Sequence, residues 1–132
     1  MPAAVSQGYA FNRTRQAYLS TELQVAATHL SRLRGLMGTR SEKFRAGQGL
    51  WIVPSRGVHT FAMRFPIDVV YLDGQKVVIY MQPNLKPWRL APVRLQAASV
   101  LELPGATLAS TGTAVGDQIE IATGTPRDGG SA

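Results

Sequence analysis

Ile67-Asp68-Val69-Val70-Tyr71-Leu72, then Asp73-Gly74, then Gln75-Lys76-Val77-Val78-Ile79-Tyr80 is the stretch that decides the fold. Two runs rich in β-branched and aromatic residues flank an Asp-Gly pair. That spacing predicts an antiparallel hairpin closed by a two-residue type I′ turn, whose central residues need positive φ. In this register Leu72 pairs with Gln75, Val70 with Val77 and Asp68 with Ile79. Side chains alternate across a strand, so Asp68, Val70 and Leu72 share one face while Ile67, Val69 and Tyr71 share the other. Both faces are apolar, which places the hairpin at the centre of a sheet and Asp68 away from water. A carboxylate in that setting takes a cation or several N–H donors, or keeps its proton. Arg64, His59 and Arg89 are the candidate partners; the alternative is a set of backbone N–H groups from a neighbouring loop.

Outward from the hairpin, short apolar runs alternate with turn residues. Tyr18 to Ala26 reads as a strand. Thr28 is placed to cap a helix whose apolar residues Leu30, Leu33 and Met37 recur at helical spacing, with Gly38 as its stop. Leu50 to Val53 is a short buried run ended by Pro54, and Val58 to Met63 alternates as a strand does. Pro83, Pro87 and Pro92 make residues 83–95 a loop. Ser99 to Leu103 and Gln118 to Ala122 are further strands, with one helical turn over Ala106 to Ser110. The expectation is a mainly β fold: a compact antiparallel β-barrel or sandwich of about seven short strands with one or two short helices. Residues 1–14 are expected to be a flexible segment, 15–122 a single globular domain and 123–132 a disordered tail.

Composition removes several function classes. The 132 residues carry no Cys, so there is no disulfide framework, thiolate metal site or thiol nucleophile. No apolar stretch reaches the roughly 18 residues of a membrane span, and Met1 to Ala10 lack the regions of a signal peptide, which points to the cytoplasm. The net charge is +6, and Arg32, Arg34, Arg40, Lys43, Arg45, Arg56 and Arg64 face only Glu42 over the segment 32–64. Such a patch attracts anions. Nucleic acid ranks last among partners, because an aromatic-interleaved basic strand, zinc-ligand spacing and a recognition helix are all missing.

Glu102, in Val100-Leu101-Glu102-Leu103, resembles Asp68 in its apolar setting. If the two carboxylates lined one cavity, differently shifted pKa values would suit acid and base work; an ion pair with Arg94 or Arg89 is the structural alternative. His59 is the sole strand histidine. It supplies neither the three or four ligands of a metal site nor a triad with a placed nucleophile, so no metal and no cofactor is expected. Pro87-Trp88-Arg89 joins a large ring to a cation in a Pro-stiffened loop, which suits a recognition surface, a lid or a plug for the end of a barrel.

Arg34-Gly35-Leu36-Met37, Gly49-Leu50-Trp51-Ile52 and the run from His59-Thr60-Phe61-Ala62-Met63 to Pro66-Ile67-Asp68 resemble the domain-of-unknown-function 192 family. Asn84 to Arg89, Val100 to Gly105 and Gly116-Asp117 continue the match in the same order, over about Leu19 to Ile121. The resemblance implies a compact, largely β domain with short helices and carries no catalytic residues. Relatives are often exported. Members often have Trp where this chain has Ala62, and a longer stretch between Met63 and Asp68, so pocket shape does not transfer.

These readings converge on a non-catalytic binding or interaction module, a monomer or weak dimer. Its apolar cleft is expected to be rimmed by His59, Arg64, Asp68, Trp88, Arg89 and Glu102, for a small anionic or polar ligand or a protein partner. The alternatives are a small hydrolase or lyase using Asp68 or Glu102 with His59, and binding of nucleic acid or an acidic partner through the Arg-rich segment 32–64.

Overall fold

Strands with apolar residues on both faces need cover on both sides, and the fold supplies it by curling one sheet and laying loops over its back. The structure, a computed structural model, describes residues 7–28, 44–124 and 126. Its elements are β1 (Gln7–Asn12), β2 (Ala17–Ala26), β3 (Gln48–Ile52), β4 (Ile67–Leu72), β5 (Val78–Leu85), β6 (Ser99–Pro104), α1 (Thr107–Thr111) and β7 (Ile119–Thr123). The strands form one sheet in the order β5-β4-β6-β3-β2-β1-β7. Every neighbouring pair is antiparallel except β2 and β3. Parallel neighbours need a crossover. Here residues 27–47 connect them; of the helix expected from Thr28 to Met37, all but Thr28 lies outside the described residues, as do Arg32, Arg34, Arg40 and Lys43.

The sheet is a half-barrel. Its two edges meet at one end, where Val77 bridges Gln118 and the Gly116 N–H donates to the Val78 carbonyl at 2.8 Å. Ala10, Leu23, Val70, Leu72, Val78, Leu101 and Ile119 come from strands far apart in the sheet and fill its concave side. Ile52, Ile67, Val69, Tyr71 and Val100 cover the convex side, where Met63, Ala91 and Ala97 of two long loops pack on them. All six residues of β4 are buried, as the pattern predicts for a central strand.

The hairpin turn differs from the expected one. Leu72 pairs with Val78 and Tyr71 with Tyr80, so the loop is longer than two residues and the register is shifted. Lys76, not Gly74, holds the left-handed conformation, at φ 64. The cause is the Asp73 carboxylate: its Oδ1 accepts from the N–H groups of Gln75 (2.9 Å) and Val77 (3.0 Å), locking a wider turn. Asp68 therefore does not pair with Ile79.

Three boundaries also move. Residues 7–12, expected to be flexible, form β1 between β2 and β7, and Thr123 belongs to β7 rather than the tail. Pro83 lies inside β5; as β5 is an edge strand with an irregular register there, no ladder hydrogen bond is lost. Val58 to Met63 is not a strand: only His59 bridges, to Leu90, and Ala62 turns into the left-handed region at φ 61. In β1, a Cβ on Gly8 would collide with the Ala122 carbonyl oxygen of β7. Gly8→Ala is expected to lower stability by about 1–3 kcal/mol, read as a lower urea midpoint.

Candidate functional site

Asp68 is 1% exposed and spends both carboxylate oxygens on backbone. Oδ1 accepts from the Asn84 N–H at 2.9 Å and Oδ2 from the Leu108 N–H at 2.8 Å. The first bond holds the irregular end of β5, where Asn84 has φ 55, and the second docks α1 onto the sheet. Of the partners open to a buried carboxyl, backbone N–H donors are the ones realised. His59, Arg64 and Arg89 are not its partners.

Glu102 sits on the other face. β6 pairs Leu103 with Asp68, and Glu102 with Val69 of β4 and Leu50 of β3. Adjacent strand residues point to opposite sides, so the two carboxyls have the sheet between them and share no cavity. Glu102 is 2% exposed, and its Oε1 has no hydrogen-bond partner. Burial pushes its pKa up to about 8. The ion pair with Arg94 or Arg89 does not form: the Arg94 guanidinium lies over the Tyr80 ring at 4.6 Å, and Arg89 is exposed.

His59, Trp88 and Arg89 do come together, on the loops that cover the convex face. Segments 55–61 and 88–98 run side by side as an irregular ribbon, through Trp88 N–H to Thr60 O (2.9 Å), Ala91 N–H to Val58 O (2.9 Å) and Arg94 N–H to Arg56 O (2.9 Å). Thr60, fully buried, ties the ribbon further: its hydroxyl donates to Lys86 O at 2.6 Å and accepts from Arg89 N–H at 2.7 Å. The Tyr71 hydroxyl donates to Pro92 O at 2.6 Å from beneath. Nothing local in the sequence reveals this role of Thr60, since its partners lie 26 and more residues away.

On the ribbon's surface the His59, Phe61 and Trp88 rings stack in series, at 5.0 and 6.0 Å between centroids. Trp88 has φ 63, an uncommon conformation for a bulky residue, and is 63% exposed, so it does not plug the half-barrel. Of the six large apolar side chains exposed among the described residues, five belong to these loops: Phe61, Trp88, Leu90, Val93 and Leu95. Arg56, Arg64, Lys86, Arg89 and Arg94 are exposed on the same loops, and neither 53–66 nor 83–97 contains an acidic residue.

One apolar cleft lies away from these loops. It measures about 400 Å³ and opens at the unclosed end of the half-barrel, between Gly8, Ile121 and Thr123 on one side and Leu23, Val25 and Trp51 on the other. None of the six residues expected at a cleft rim lines it. Its walls come from β1, β2, β3 and β7; alternation along each strand says which residues point inward, but only the strand order says which ones meet.

With this geometry in hand, comparison with known proteins is decisive about kinship. Residues 10–121 match the model of DUF192, an uncharacterized ACR family. The chain belongs to the DUF192 family. A UPF0127 protein of Thermococcus sibiricus is 27% identical over 114 residues, spanning 83% of this DUF192 chain and 71% of the relative. Two solved structures share the fold at 18% identity. One, a protein of unknown function from Novosphingobium aromaticivorans, has a TM-score of 0.73 over 86% of this chain and 83% of its own. The other, a "putative transcription regulator" from Sinorhizobium meliloti, has a TM-score of 0.76 over 90% and 95%.

Proposed function

We propose that this DUF192 chain is a non-catalytic interaction module that docks an acidic protein partner on its Trp88 ribbon. The observation that carries the reading is the coincidence, on two acid-free loops, of five exposed apolar side chains with five exposed cations that form no ion pair among the described residues. Trp and Arg are the residues most enriched where interfaces gather their energy, and Trp88-Arg89 presents the two together. A cation surface without acids selects an anionic partner, while Leu90, Val93 and Leu95 need apolar area to cover. The scattered carboxyls support the non-catalytic half of the reading: Asp68 has no spare oxygen, Glu102 lies across the sheet from it, and the His59 ring is stacked with Nδ1 accepting from the Phe61 N–H at 3.2 Å.

The stacked rings also suit nucleic acid bases, and the test separates the two partners. A photo-crosslinking residue placed at Leu90 in cells is expected to yield a covalent adduct with an acidic protein. Reversing Arg89 and Arg94 to Glu in the same chain is expected to cut that adduct about tenfold. Adducts only with nucleic acid or lipid, or a protein adduct indifferent to charge reversal, would sink the reading.

A further inference from the structure

The cleft at the open end of the half-barrel has a chemistry of its own. Its volume, about 400 Å³, is within the roughly 300–1,000 Å³ of small-molecule sites. Leu23, Val25 and Ile121 give it an apolar wall, and Met81 of β5 packs with Trp51 and Ile121 against the same concave core. Its lining has two side chains with a polar atom, Trp51 and Thr123, and neither is charged. The Trp51 Nε1–H is buried and has no acceptor, although a buried indole N–H ordinarily finds one. The Lys76 ammonium lies 5.8 Å from the Trp51 ring centroid, carried there by the wide turn that Asp73 enforces. Among the described lining residues there is no carboxylate.

An apolar wall with an unused N–H donor and a nearby ammonium selects a ligand with an aliphatic body and an anionic acceptor at one end. We propose that the half-barrel cleft is a binding site for a medium-chain aliphatic carboxylate. The chain lies along Leu23, Val25 and Ile121, and the carboxylate accepts from Trp51 Nε1–H in the field of Lys76. This site is on the concave side, away from the ribbon, and does not depend on the protein-docking reading.

The chain has two tryptophans, so in a Trp88→Phe background Trp51 alone reports. Decanoate, methyl decanoate and decylamine are titrated below their aggregation concentrations, following Trp51 emission and the thermal midpoint. Decanoate is expected to give a saturable change in emission and a raised midpoint, with decylamine at least tenfold weaker. Lys76→Gln, in an outlying turn, is expected to weaken decanoate about tenfold and leave methyl decanoate unchanged. Val25→Phe, which narrows the cleft, weakens all three. Equal responses to decanoate and decylamine, or no saturable response with the midpoint unmoved, would overturn the proposal.

Discussion

Asp68→Asn is expected to destabilise the chain by about 3–5 kcal/mol, a large part of the roughly 5–15 kcal/mol that holds a domain of this size together. The wild-type carboxylate satisfies two backbone donors, Asn84 N–H and Leu108 N–H, at 2.9 and 2.8 Å. Charge-assisted bonds of this kind are worth about 1.5–3 kcal/mol each. An asparagine has the same shape but only one acceptor. Its amide nitrogen turns a donor towards a backbone donor, and the Leu108 N–H is buried where water cannot replace the lost oxygen. The measurement is urea denaturation, with amide exchange as a local readout: Leu108 and Asn84 should lose protection before the centre of β4 does. Were Asp68 instead a catalytic base with a lone pair to spare, Asp68→Asn would leave the midpoint and both amides unchanged. Asp73→Asn is the surface comparison. Its donors are backbone groups of an exposed turn, so a smaller loss is expected.

That Asp68 needs a cation, several N–H donors or its own proton is legible from residues 67–72 alone, because a carboxylate between two apolar faces has few stable options. Which donors serve is not legible, since they depend on the left-handed Asn84 and on where α1 lands, 16 and 40 residues away. The Asp-Gly pair marks a turn correctly but misleads about its type, because the Asp73 side chain, rather than the glycine backbone, sets the geometry. β1 escapes notice for a different reason. Gly8-Tyr9-Ala10-Phe11-Asn12 has little apolar contrast between its faces: Ala10 and Phe11 are both buried, and Asn12 is buried by bonding to Asp117 and Thr113. At the candidate surface, Trp88 and Arg89 are visible as a loop pair with unusual composition. Phe61 joins them only because the ribbon brings 55–61 beside 88–98.

The stability of this chain is expected to fall as pH rises from about 4.5 to about 8, and Glu102 is the cause. Burial lifts its folded pKa to about 8 from an ordinary 4.5. Across that window the folded chain holds a proton that the unfolded chain has released, so unfolding is favoured by rising pH. Below the window both states are protonated and no penalty applies. Above it both are ionised, and the folded state carries a buried, unpaired charge at Oε1. At about 1.4 kcal/mol per pKa unit the full loss amounts to several kcal/mol. Asp117 does not blur the effect. Burial raises its pKa, but hydrogen bonds from Arg15, Asn12 and Ala114 outweigh that and hold it below 3.8, so its contribution is constant across the window and is lost only at lower pH. Glu102→Gln keeps the shape and cannot ionise. Its urea midpoint should exceed that of the parent chain at pH 8.5, and the difference between the two chains should change steadily between pH 5 and pH 8. A parallel pair of curves would mean that Glu102 keeps its charge in the fold, matched by a cation or water that reaches Oε1 from solution.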